Sequence, residues 1–209
     1  WYRVELTLEQ LIDEVTELLT LVAGFSDAVR LSYATVFKQY LELDVFGCSD
    51  EALKSLAFSH IPSLAADFEL DRDGWLELLM SDVIEQKLAE LDQPVFIYDF
   101  PASQAQLAKI KIDEEGNLVA ARFELYAGGL ELANGYDELL DAEELRQRFM
   151  LDNQQRVSLG KQEMPIDGQL LEAMEAGLPQ CTGVAFGLDR LLMLVLKKEE
   201  INQVIFESD

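Results

Sequence analysis

Two segments of this chain hold residues with chemistry to offer. Arg122-Phe-Glu-Leu-Tyr-Ala-Gly-Gly-Leu-Glu-Leu-Ala-Asn-Gly-Tyr-Asp-Glu138 sets the carboxylates of Glu131 and Glu138 around a break of small residues. Further along, Gly183-Val-Ala-Phe-Gly-Leu-Asp-Arg-Leu-Leu-Met193 runs a glycine-punctuated strand into a helix whose first turn carries Arg190. Hard carboxylate oxygen suits magnesium, a guanidinium suits phosphate, and a second carboxylate suits an ammonium group. Together they fit a magnesium nucleotide beside an amine. Singly, each has a plainer reading: Glu131 and Glu138 as solvated carboxylates, Asn134-Gly135 as a turn, Asp189-Arg190 as a helix-start acid and a surface arginine.

The elements that must position these residues follow from periodicity. Leu8, Leu11, Ile12, Val15, Leu18, Leu19 and Val22 recur at helical spacing and predict a helix over 7–22, with Thr7 and Gln10 as a capping box and Gly24 as its stop. Ser32 is placed to cap a second helix through Val36, Phe37, Tyr40 and Leu41, and Asp50 a third through Leu53, Leu56 and Ala57. A fourth is predicted over 73–91, burying Trp75, Leu78, Leu79, Val83, Ile84 and Leu88 before Pro94.

At Pro94 the pattern changes. Residues 95–100 have the apolar and aromatic density of a core strand, and 108–112 with 118–126 flank a polar turn at 113–117 as an antiparallel hairpin. The second of these strands is expected to continue into 131–138. Helices over 142–159 and 167–176, the Gly183 strand and a helix over 188–196 complete the chain. Helices first and antiparallel strands later predict one α+β domain over 1–209, helical over about 5–92, with the sheet and the site over about 94–209.

Composition excludes several functions. No window approaches the roughly 18 apolar residues of a membrane span, and Trp1-Tyr2-Arg3 lacks the basic and apolar regions of a secretory signal, so a cytoplasmic location is expected. Forty acidic against 16 basic residues, a formal net charge of −24, argue against a broad phosphate-backbone contact, and tRNA is not expected as a partner. The single histidine, His60, in Ala57-Phe-Ser-His-Ile-Pro62, has no obvious nucleophile context and reads as a helix-end residue rather than part of a Ser-His-Asp triad or a multi-histidine metal centre. Cys48 and Cys181 are too few and too separated for a disulfide framework or a zinc site.

Phe123-Glu-Leu-Tyr, Gly129-Leu-Glu-Leu-Ala-Asn-Gly-Tyr-Asp-Glu138 and Gly183-Val-Ala-Phe-Gly-Leu-Asp-Arg190 resemble the catalytic domain of class II lysyl-tRNA synthetases. Residues 101–108 and Pro165-Ile-Asp167 extend the resemblance over most of 94–196, and Trp1-Tyr2-Arg3 resembles the end of that family's second signature strand. Alanine at 133 and 185, where the synthetases usually have glycine, is similar to a truncated branch of the family that attaches (R)-β-lysine to elongation factor P.

The resemblance implies a partial class II aminoacyl-tRNA synthetase catalytic domain, an antiparallel sheet flanked by helices, that uses ATP and Mg2+ to activate β-lysine, or lysine, as an adenylate. Elongation factor P is the implied partner, and a homodimer the implied full-length state. The implied ATP site is Glu131, which would also hold magnesium, with Leu132, Gly187 and the catalytic Arg190. Substrate contacts fall to Tyr2, Asn134, Glu138 and Ala185. The family's first motif and most of its second precede the part that this chain resembles, so these residues alone are expected to form the adenylate poorly. A lysyl-tRNA synthetase core and a non-catalytic remnant are the alternatives.

Overall fold

The structure is a computed structural model that describes residues 1–205. Its centre is a seven-stranded sheet formed by β1 (Tyr2–Val4), β2 (Val29–Ser32), β3 (Val95–Pro101), β4 (Ile110–Ile112), β5 (Leu118–Ala127), β6 (Leu130–Asp137) and β7 (Cys181–Phe186). The order is β1-β7-β6-β5-β3-β2, with β4 pairing the start of β5 on the side of β6. Every pairing is antiparallel except β2 on β3, where Val29 to Ser32 run alongside Val95 to Tyr98. This four-residue strand within the predicted helical region escapes pattern reading because it is short and neither face is fully buried.

The helices follow their capping chemistry. In α1 (Leu8–Ala23), Thr7 Oγ1 accepts from the Gln10 amide at 3.2 Å while Gln10 Oε1 accepts from the Thr7 amide at 2.9 Å, and Gly24 closes the helix at φ +77°. Ser32 caps α2 (Tyr33–Leu41) as expected. The cap of α3 (Asp50–His60) is Ser49 rather than Asp50, because a short hydroxyl in extended backbone reaches the Ala52 amide while Asp50 occupies the first helical turn. His60 is the exposed last residue of that helix.

The fourth predicted helix is interrupted. Asp71 caps α4 (Arg72–Leu79), a π turn spans Met80–Ile84, and α5 (Glu85–Leu88) follows. The buried residues Leu76, Met80, Ile84 and Leu88 are spaced by four, which in a regular α-helix drifts about 40° per step. The wider π turn absorbs part of that drift and keeps the stripe against the sheet. The remaining helices, α6 (Ala142–Ser158), α7 (Gly168–Glu175) and α8 (Leu188–Leu196), match the sequence reading within a residue or two.

One strand prediction is corrected. The segment around Glu131 does not prolong β5; Gly128 and Gly129, at φ +58° and +78°, reverse the chain in a two-residue hairpin, and β6 returns antiparallel beside β5. Two successive left-handed residues make the primed turn whose twist matches flanking strands, which glycine adopts without a Cβ penalty. A bulge follows immediately: Tyr126 pairs with Glu131 but Leu125 with Ala133, leaving Leu132 as the extra residue.

The sheet thus has two unlike faces. On one, Phe96, Phe123, Leu125, Ala133 and Val184 pack under Leu11, Ile12, Val15 and Leu19 of α1 and Leu191 of α8. On the other, Val95, Ile97, Ala120 and Tyr126 pack under α2 to α5, with Trp75, Tyr33 and Phe37 at the centre. The candidate site residues lie where this second helical cover ends.

Candidate functional site

Strand alternation sends Arg122, Glu124 and Tyr126 of β5 to the second face together. Arg122 is 3% exposed, lies over the Phe100 ring at 4.3 Å, donates to the Gln104 carbonyl at 3.0 Å and makes a close ion pair with Glu124. Glu124 accepts from the Tyr126 hydroxyl at 2.5 Å on its other oxygen. Burial raises the Glu124 carboxyl above the usual range, opposed by the Arg122 guanidinium. The Tyr126 hydroxyl is also 3.4 Å from Glu85 Oε1 on α5, and burial, with the Glu124 charge, raises Glu85 as well.

From β6, Asn134 lies opposite Glu124, and its Nδ2 reaches Glu124 Oε1 at 3.4 Å. Its Oδ1 is buried without a hydrogen-bond partner among the described residues. Unsatisfied buried acceptors cost about 1–3 kcal/mol, so this amide oxygen is a candidate to take a donor or cation from a ligand. Glu131 pairs with Tyr126 at the hairpin end of the same row. Arg190, from the first turn of α8, donates to the Glu131 carbonyl at 2.7 Å and stands 3.6 Å from Glu131 Oε2, both side chains remaining part-exposed. The two residues that sequence places at the nucleotide are therefore neighbours.

Leu132, the bulge residue, is buried and turns its carbonyl to the Gly187 amide at 2.8 Å, which ties the end of β6 to the start of α8. Gly187 has an ordinary negative φ of −79°. What it offers is space: a Cβ there would stand 3.4 Å from Arg190 Cδ and 3.5 Å from the Leu132 carbonyl.

At the other end of the row lies a second group. Gly183 of β7 pairs with Tyr2 on one side and Tyr136 on the other. A Cβ on Gly183 would run into Glu138 Oε1 and, at 2.6 Å, the Tyr2 ring, so these two side chains share the space above that glycine. Glu138 is fixed at its backbone by its amide bond to the Cys181 carbonyl at 3.1 Å. Burial, then the adjacent Asp137 charge, pushes its carboxyl up to about 7, against the pull of Lys109. Between the groups, Ala185 pairs with Asn134 and is exposed.

Apart from Leu132, whose side chain packs into the core beneath α1 and α8 and leaves only its carbonyl at the site's edge, the predicted residues fall on one contiguous stretch of sheet and the turn that follows it. Glu131 and Arg190 meet at the hairpin end, Asn134 and Ala185 stand between, and Glu138 and Tyr2 lie over Gly183. The arrangement is an open sheet face. Cavities of about 560, 760 and 410 Å³ lie elsewhere, beside α6, between the start of α1 and the β4–β5 turn, and between α6 and residues 102–110; none includes Glu131, Asn134, Glu138 or Arg190. Sequence reasoning gave no role to Glu124, Tyr126 or Glu85. The alternation Arg122-x-Glu124-x-Tyr126 in an otherwise apolar strand was the available signal for the first two; Glu85 had none, since its place depends on the π turn.

Among the described residues no helix is long and apolar enough to cross a membrane. The family of class II tRNA synthetases (D, K and N) matches residues 3–206. Over 205 residues, the chain is 47% identical to the elongation factor P–(R)-β-lysine ligase of Proteus mirabilis, 46% to that of Klebsiella pneumoniae and 45% to that of an Enterobacter species. Each comparison covers 98% of this chain and 62% of the relative, so the chain spans under two thirds of the length of these relatives.

Proposed function

The chain belongs to the class II tRNA synthetase family, and from that premise we propose that it carries the nucleotide and amine subsites of a cytoplasmic ligase. That ligase activates (R)-β-lysine, or lysine, with ATP and transfers it to a lysine of elongation factor P. The observation that carries the proposal is the single row of side chains, with Arg190 on Glu131 at one end and Glu138 beside Tyr2 at the other. The names of the three relatives support the same reading.

The chemistry asks little covalent help of the protein. A substrate carboxylate attacks the α-phosphate of ATP and pyrophosphate leaves; an acceptor amine then attacks the activated carbonyl, loses a proton and displaces AMP. Such reactions rest on alignment and charge compensation. Glu131 and Glu124 fit a magnesium ion, which takes one or two carboxylates and completes its shell with phosphate and water; the partnerless Asn134 Oδ1 adds a third hard oxygen to the same face. When bound, that ion compensates the phosphate charge.

Arg190 then places a permanent positive charge at the phosphates, and its bond to the Glu131 carbonyl holds the guanidinium in place. Glu138, half-buried, pairs with the substrate ammonium, and an analogue without that charge would leave a buried carboxylate unpaired. Ala185 puts a methyl where glycine would leave room, a change on the scale of about 1–3 kcal/mol of substrate discrimination.

Pyrophosphate exchange in the full-length protein that contains this chain tests the reading. With β-lysine, ATP and magnesium the parent should turn over, and R190A and E131A should each lose roughly 100-fold or more. A185G should shift preference toward α-lysine. Full exchange in R190A and E131A would overturn the assigned site, and charging of tRNA in preference to elongation factor P would overturn the acceptor.

A further inference from the structure

Glu85 is half-buried, and its carboxylate is turned onto β5, where Oε1 comes within 3.4 Å of the Tyr126 hydroxyl. That hydroxyl sits on a side chain only 4% exposed and donates to Glu124 Oε2 at 2.5 Å. One proton thus lies between two carboxylates. The other Glu124 oxygen faces Arg122 and Asn134, so Glu124 is held from both sides. Glu85 itself has no cationic partner among the described residues, although Lys87, two residues on, pairs with Glu90.

The backbone accounts for this placement. The π turn at Met80–Ile84 ends at Glu85, the first residue of α5, and π turns concentrate where a helix must re-aim a functional side chain. The same short helix lies against the β5–β6 hairpin, where a Cβ on Gly129 would stand 3.3 Å from the Ala89 Cβ. An ordinary solvated helix carboxylate would instead point away from the sheet.

We infer that Glu85 is a positioning residue for Glu124, acting through Tyr126: the hydroxyl fixes the orientation of the Glu124 carboxylate, and Glu85 is the second acceptor that keeps it in place when a cation draws on Glu124. The inference rests on the reading of Glu124 and Glu131 as the carboxylates of a magnesium nucleotide. Partners that orient a metal-binding carboxylate typically contribute 10- to 100-fold in metal affinity without touching the metal.

The test is magnesium-dependent binding of a non-hydrolysable ATP analogue to the full-length protein, followed by calorimetry alongside steady-state kinetics. Y126F and E85A should each raise half-saturating magnesium about tenfold, and E85A in a Y126F background should add little, because both act on one hydrogen bond. E85Q, whose amide oxygen still accepts from Tyr126, should stay within about threefold of the parent, and the KM for the amino acid should not move in any of them. Unchanged magnesium dependence in Y126F overturns the inference even if E85A fails to fold. So does a full, additive loss when E85A is placed on Y126F. In either case intact nucleotide binding by the parent leaves the proposed function standing, whereas a parent that binds no magnesium nucleotide overturns both.

Discussion

The strands β5, β6 and β7 present two faces to two different problems. Beneath α1 and α8 the inward residues are Phe123, Leu125, Ala133 and Val184, every one apolar and closely packed. The opposite face carries the buried Arg122 and the part-buried Glu124 and Asn134, with part-buried Glu138 just past the end of β6. Two glycines mark the contrast. A Cβ on Gly135 would come within 2.5 Å of the Phe123 ring and 3.2 Å of the Gly183 carbonyl, both fixed; a Cβ on Gly183 would meet the Glu138 carboxylate and the side of the exposed Tyr2 ring. The first face converts close approach into stability, and the second, on the proposed reading, keeps space for a ligand.

If that contrast holds, substitutions should divide by face. Phe123→Ala, which removes a fully buried ring packed edge-on against Phe96 at 5.4 Å, should cost about 3–5 kcal/mol in chemical denaturation, the largest effect expected. Gly135→Ala should cost about 1–3 kcal/mol, since the ring and the carbonyl cannot both yield. Gly183→Ala should change stability by less than about 1 kcal/mol, because the Glu138 carboxylate and the exposed Tyr2 ring can move, yet weaken amine binding about tenfold or more by displacing Glu138. Equal stability losses at the two glycines, with amine affinity intact at Gly183, would erase the distinction.

Glu138 sharpens the comparison through pH. Its carboxyl lies near 7 in the fold and near the usual carboxylate value when unfolded, so between those values the folded state binds more protons. The stability it contributes is complete below the unfolded value and is lost as pH rises through about 7. The parent should therefore lose about 1 kcal/mol from pH 5 to 8 on this account, a figure reduced for the partial exposure of the group. Glu138→Gln should flatten that slope and leave the protein more stable than the parent at pH 8. Amine affinity should run the other way, improving as pH rises through 7, and fall roughly 10- to 100-fold in the glutamine variant. Identical stability profiles for parent and variant would show that this carboxylate is not taxed by burial.

How much of this could be read in the sequence also differs between the faces. Capped, strongly periodic helices were legible because their causes are local: Thr7 with Gln10, Ser32 and the apolar spacing of α1. The residues Glu131, Asn134, Glu138, Gly187 and Arg190 were legible as a set because two motifs carry them. Other features depend on neighbours distant in the chain. Strand β2 exists through its pairing to β3, the β5–β6 reversal turns on Gly128 and Gly129, through which the sequence pattern predicts a continuing strand, and the π turn sets the position of Glu85. Glu124 lies within the first motif but carries no local signal of a role, since its burial beside Arg122 and Tyr126 appears only once the strand has a face.

The smallest effect is expected farthest from the ligand side. Thr7 Oγ1 accepts the Gln10 amide at the start of α1, the helix that covers the apolar face, and Gln10 returns the bond to the Thr7 amide. Replacing Thr7 by alanine removes one acceptor from the box and should cost about 1 kcal/mol, whereas serine, which keeps the oxygen, should be nearly neutral. Because α1 packs through Leu11, Ile12, Val15 and Leu19 onto strands whose other side carries the site, the loss should appear in the denaturation midpoint. Amine and nucleotide affinities should be unchanged. A cap substitution that altered ligand affinity as much as stability would mean that the two faces are mechanically coupled, and the division argued from Gly135 and Gly183 would then be one of degree.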